Sequence, residues 1–157
     1  MDLQVILPIL LPKAIEWAEL QQIDILTSGR PLTPGEIATA RAVGVSQPEK
    51  IRVKSVASIP VPQDPLLAQA AVQAGLLGPN MAGLTLFYGI FIRDGTYSRN
   101  LLAHECRHVH QYEQRGSILG FLQEYIPQVL TSGYFNSPLE KEARDAAEQY
   151  ELSRLNP

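Results

Sequence analysis

The five residues His104-Glu105-Cys106-Arg107-His108 constrain this chain more than any other stretch. They spell H-E-x-x-H. On a helix, positions four apart lie on one face about a turn apart. Two imidazoles at that spacing can reach one metal ion, and the glutamate between them can reach a water on that ion. The motif therefore demands a helix, and a scaffold that holds one of its faces rigid.

The flanking residues predict that helix. Thr96 or Ser98 is a candidate N-cap after the Asp94-Gly95 turn. No proline or internal glycine falls between Ser98 and Arg115, and Gly116 follows a basic last turn, the usual stop. The expected helix is Ser98–Arg115. A turn of about 100° per residue places Leu101, His104, His108, Gln111 and Tyr112 on one broad face, with Glu105 at its shoulder. Leu102, Cys106, Val109 and Glu113 point elsewhere. His110 lies about 200° round from His108 and cannot join the same ion.

A catalytic zinc usually has three protein ligands and one open position. With His110 excluded, the third must come from another segment. Ser137-Pro138-Leu139-Glu140-Lys141-Glu142-Ala143 offers one. Ser137 is a plausible N-cap and Pro138 suits the first helical position, so a helix is expected from Pro138 to about Leu155. Ala143, Ala146 and Ala147 would let it approach the motif helix closely. Glu140 is the preferred ligand. Glu142 and then Asp145 are the alternatives, Glu142 pointing about 200° away from Glu140.

This pattern resembles the glutamate zincins, in which H-E-x-x-H on one helix is completed by a glutamate opening a later helix. Glu140–Ala143 reads E-x-x-A, similar to the third-ligand motif of thermolysin-like and CAAX-prenyl-type metallopeptidases. Leu101–Gln111 also resembles small bacterial metallopeptidase domains that read H-E-x-x-H-x-x-Q. The likeness spans roughly Gly83 to Ala147. Several glutamate zincins carry Asp directly after the motif's small residue; Arg144 stands there in this chain, and Asp145 follows. The metzincin variant is excluded, because Gln111 occupies the place of its glycine.

The resemblance implies a zinc hydrolase that cuts peptide bonds. Zinc would acidify a water and polarise the carbonyl, and Glu105 would act as general base. A developing oxyanion needs a further donor. Tyr112, Tyr134, Arg107 and Arg144 are the candidates, and Gln111 is a candidate substrate or carboxylate contact. Plainer readings stand beside this one: a structural or non-proteolytic metal site, or a binding module whose motif arose by chance. Cys106, off the ligand face, reads as a small buried hydrophobe.

Composition narrows the partners. The net charge of −3 leaves no basic footprint for nucleic acid. A single Cys excludes an internal disulfide framework and leans towards a reducing cytosol. Leu3–Leu11 is apolar, but it lacks a basic flank and contains Pro8, so neither a signal peptide nor a membrane span is expected.

The remaining elements predict an α+β fold, helix-rich with a small mixed sheet. The chain is read as one domain: residues 1–82 carry the N-terminal helices and a strand, and residues 83–157 carry the metal-site portion. Helices are expected over Pro12–Leu26, Pro34–Val43, Leu66–Ala74 and Ile118–Leu130, the last kinked or broken at Pro127. Lys50–Ile59 reads as a strand. Gly83–Arg93 reads as one bent strand or a pair split at Gly89, and is the candidate sheet edge for an extended peptide substrate.

Overall fold

The computed structural model describes residues 1–156. Its elements are α1 (Leu3–Ser28), β1 (Arg30–Pro31), α2 (Pro34–Ala42), a 3₁₀ turn (Pro48–Lys50), β2 (Arg52–Val56), α3 (Pro65–Gln73), β3 (Gly83–Leu86), β4 (Gly89–Arg93), α4 (Arg99–Arg115), α5 (Ile118–Ser132) and α6 (Pro138–Leu155). The fold is α+β, with helices around a mixed four-stranded sheet in the order β1-β2-β4-β3. β2 and β4 run parallel; β1 and β3 pair antiparallel with their neighbours. Among the described residues, no helix is long and apolar enough to cross a membrane.

The sheet divides two apolar cores. Successive strand residues point to opposite faces. Phe91 therefore joins Leu10, Ala18, Ile25 and Leu67 on the side of α1, α3 and α5. Ile90 and Ile92 join Val53, Leu102, Cys106 and Val109 on the side of α2, α4 and α6. Helix α4 contributes to both cores, with Tyr112 buried in the first and Val109 in the second. A helix gripped on two sides has little freedom to rotate, which is what the motif requires.

Most expected elements are present, with corrections at their edges. Helix α1 begins at Leu3 rather than Pro12, so Pro8 and Pro12 lie inside it. Each proline removes a backbone hydrogen bond. Asp2, accepting from the Gln4 amide, and the burial of Leu10, Ala14 and Ala18 hold the helix through them. Leu20, Ile23 and Leu26 are exposed, and Ala14, Ala18 and Ile25 form the packed face. β1 was not expected, and the Lys50–Ile59 strand shortens to Arg52–Val56. The strand pair parts at Phe87-Tyr88, ahead of Gly89. Phe87 adopts a left-handed φ of 57° there, where its ring stacks on Tyr88 and Tyr112. Helix α5 runs unbroken through Pro127 to Ser132.

Helix α2 shows how local sequence anchors the frame. Thr33 and Glu36 form a complete capping box, and Glu36 also accepts from Arg30 and from the Tyr97 hydroxyl. Burial alone would raise the Glu36 pKa. The hydrogen bonds from Arg30, Thr33 and Tyr97, with the Arg30 charge, outweigh it and bring the group to about 2. A carboxylate held below its unfolded value stabilises the fold above that value. This contribution should be complete above pH about 4.5 and lost as pH falls towards about 2. Glu36→Gln is expected to cost about 1–2 kcal/mol at neutral pH. It should also flatten the acid limb of stability, as followed by urea unfolding at a series of pH values; an unchanged limb would remove Glu36 from the account.

Candidate metal centre

Helix α4 starts where its caps dictate. Ser98 accepts from the Leu101 amide, and Thr96 instead bonds back to the Arg93 and Ala82 carbonyls. Gly116 ends the helix with φ 82°, and its amide returns to the Tyr112 carbonyl at 2.9 Å. Helix α6 packs against α4 through Ala143 and Ala147, both buried. Small side chains at the contact let the two axes approach closely and bring Glu140, in the first turn of α6, over the motif. Ser137 occupies the N-cap position, but its hydroxyl donates to the Tyr134 carbonyl rather than capping.

Three side-chain atoms converge. His104 Nε2 lies 3.1 Å from His108 Nε2, and each lies 3.2 Å from Glu140 Oε1. Among the described residues, these three form the group able to hold a metal ion. The triangle fits a tetrahedral ion: ligand atoms at about 2.0–2.1 Å from zinc stand about 3.3–3.4 Å apart. Glu140 and His108 are buried, and His104 is partly exposed.

The surrounding hydrogen bonds orient all three donors. Gln111 Nε2 donates to the Leu139 carbonyl at 3.0 Å and to Glu142 Oε1 at 3.2 Å. Both its amide protons are thus engaged, so Gln111 Oε1, 2.8 Å from His108 Nδ1, must accept. The proton of a neutral His108 ring then sits on Nδ1, and Nε2 presents a lone pair to the triangle. Tyr125 donates to Glu140 Oε2 at 2.7 Å and so fixes the carboxylate, whose Oε1 reaches both rings and whose Oε2 also lies 3.1 Å from His108 Nε2. Tyr125 is carried there by a stack of aromatic rings, Phe87, Tyr112, Phe121 and Tyr125.

The electrostatics of the pocket call for positive charge. Burial disfavours a charged imidazole, yet the charge and hydrogen bond of Glu140 outweigh it and push His108 up to about 9. Burial likewise opposes ionisation of Glu140, but the two histidines hold its carboxyl well below the usual range. A site that attracts a proton this strongly offers the same lone pairs to a divalent ion, which displaces the proton.

Glu105 stands beside the triangle without joining it. It is buried, and the Thr85 hydroxyl lies 3.0 Å from its Oε1. Its Oε2 lies 3.8 Å from His104 Nε2. Gly83 makes the room: a Cβ there would stand 3.1 Å from the Glu105 Cδ.

The other candidates separate cleanly. Glu142 does not face the triangle; it pairs with Arg107 at 2.7 Å and with Gln111. Asp145 is exposed. Arg107 also donates to the Val43 carbonyl, on the side away from the triangle. His110 meets the Gly44 carbonyl. Tyr112 is fully buried, and its hydroxyl lies 3.3 Å from the Thr85 carbonyl. Burial pushes the Cys106 thiol up, so it is no nucleophile. Tyr134 and Arg144 do line the open cleft of about 840 Å³ that His104, Glu105 and Glu140 also border. Sequence reasoning missed Tyr125 and Thr85 altogether. A spacing from Tyr125 to Glu140 across a loop carries no periodic signal.

Comparison with known proteins found no match to this chain among family models, curated proteins or solved structures.

The geometry ranks the contributions to metal affinity. Glu140→Ala should lower zinc affinity by on the order of a thousandfold or more, as a direct ligand is lost. Gln111→Ala and Tyr125→Phe should each cost about 10- to 100-fold, the range for groups that orient ligands. Glu142→Ala should cost less than Glu140→Ala. Competition titration with a chromophoric chelator reads all four, and a larger loss for Glu142→Ala would overturn the ligand assignment.

Proposed function

We propose that the protein is a zinc-dependent metallopeptidase of the glutamate-zincin type. The observation that carries this reading is the triangle of His104, His108 and Glu140 donor atoms with the Glu105 carboxylate beside it. Zinc held by those three side chains would supply a Lewis acid that acidifies water and polarises a carbonyl. The rest falls to the chain itself.

Glu105 is the general base. Thr85 occupies one of its oxygens and Gly83 leaves space for the other, so the carboxylate is held in place without a ligand's role. It accepts a proton from the attacking water and passes it to the leaving amine. Tyr134 and Arg144 border the cleft and are the groups placed to donate to a developing oxyanion. Tyr112 and Arg107 are engaged elsewhere and drop out of that role.

A peptide is the substrate class favoured by the sheet. β3 is an edge strand, paired only with β4, and Met81, Ala82 and Gly83 at its start border the cleft. An extended chain can add to such an edge by backbone pairing, while β4 in the sheet interior cannot serve. The edge assignment therefore narrows from Gly83–Arg93 to Gly83–Leu86.

Glu105→Gln should retain zinc and thermal stability yet lose turnover of a generic peptide library by several orders of magnitude. Gly83→Ala should also keep the metal but lower kcat by about tenfold or more, because the new methyl group displaces the carboxylate. Mass-spectrometric cleavage profiling of the zinc-loaded proteins checks both. Full activity in Glu105→Gln would remove the base from the mechanism.

A further inference from the structure

A second cavity borders the metal centre beside the open cleft. It measures about 120 Å³, and its walls come from α1, α3, β3 and α5, including Ala14, Trp17, Ala70 and Leu122. Those walls are almost wholly apolar. The polar side chains in the lining are Thr85, Glu105, His108 and Glu140, with the indole of Trp17 and the hydroxyl-bearing rings of Tyr112, Tyr125 and Tyr134. Thr85 and Glu105 are already bonded to each other, and Tyr125 is bonded to Glu140. With so little polar lining, burying a polar substituent there would be costly. Met81, Gly83 and Tyr134 border both this chamber and the cleft, so the two spaces join at the site of chemistry.

Protein interiors are close-packed, and voids well above the size of a water are few. An apolar void of this order stays dry and accepts an apolar guest; one of about 150 Å³ takes a benzene. Here the space is lined by side chains from Leu10 and Pro62 to Glu140.

We infer that this chamber binds an aliphatic chain of the substrate, of about five or six carbons, attached beside the scissile carbonyl. The chain enters past Glu105 while the polar remainder of the substrate stays in the cleft. The inference rests on the hydrolase reading for the word scissile, but the chamber itself does not depend on the metal.

Trp17 is the only tryptophan in the sequence and it lines the chamber, so its fluorescence reports occupancy alone. In metal-free protein, 6-bromohexan-1-ol should quench Trp17 saturably. Ala70→Leu, or Ala74→Leu at the end of α3 should the first misfold, should weaken that quenching about tenfold. Quenching that is linear and indifferent to both substitutions overturns the chamber. With zinc-loaded protein, hexanohydroxamate should bind on the order of a hundredfold more tightly than acetohydroxamate, roughly threefold to fourfold per methylene. N-acetyl-norleucine hydroxamate has the same carbon skeleton with an acetylated amine on the carbon next to the carbonyl. If it binds more tightly than hexanohydroxamate, the aliphatic chain belongs to a peptide residue; if less tightly, it is an acyl group. Equal affinity of hexanohydroxamate and acetohydroxamate overturns the aliphatic chain. Protein that takes up no zinc would sink the hydrolase reading, and the bromohexanol result would still decide the chamber.

Discussion

Three ligand-type atoms, two of them from buried side chains, stand 3.1–3.2 Å apart. Without a positive centre between them that arrangement is unfavourable, because burial removes the water that would screen it. Much of the fold exists to keep it. Two apolar cores fix the rotation of α4. Alanines on α6 bring Glu140 within reach. Gln111 sets the proton of a neutral His108 on Nδ1, and Tyr125 holds the Glu140 carboxylate against the two rings.

The orienting groups are themselves held. Gln111 depends on the Leu139 carbonyl and on Glu142, and Glu142 on Arg107, which reaches the Val43 carbonyl at the end of α2. One chain of hydrogen bonds therefore links the α2 terminus, α4 and α6 to a single imidazole. Tyr125 belongs to an aromatic stack that begins at the β3–β4 turn. Donors fixed in this way need no reorganisation when an ion arrives, which is the physical meaning of a preformed site.

The motif helix and its ligands were legible because their signals are local. Ser98, the proline-free run and Gly116 bound α4, and a four-residue spacing defines its face. Pro138 in the first turn marked α6, and geometry on the helical wheel separated Glu140 from Glu142. Where tertiary packing overrides local preference, the reading slipped. Prolines 8 and 12 argued against a helix that core burial nevertheless sustains. The β3–β4 turn has neither Gly nor Asn at its centre, so its position at Phe87-Tyr88 depends on ring stacking that no pattern announces. Thr85 and Tyr125 act across long sequence separations and left no trace in spacing.

The account stands or falls on the ion. Protein purified without added metal and analysed for elemental content, with X-ray absorption at the zinc edge, tests it most directly. The expected result is one zinc per chain, bound by two imidazole nitrogens and one carboxylate oxygen at about 2.0–2.1 Å, with a further light-atom ligand. A chain that is empty and takes up no stoichiometric zinc, or one whose zinc spectrum lacks the imidazole pair, would contradict it.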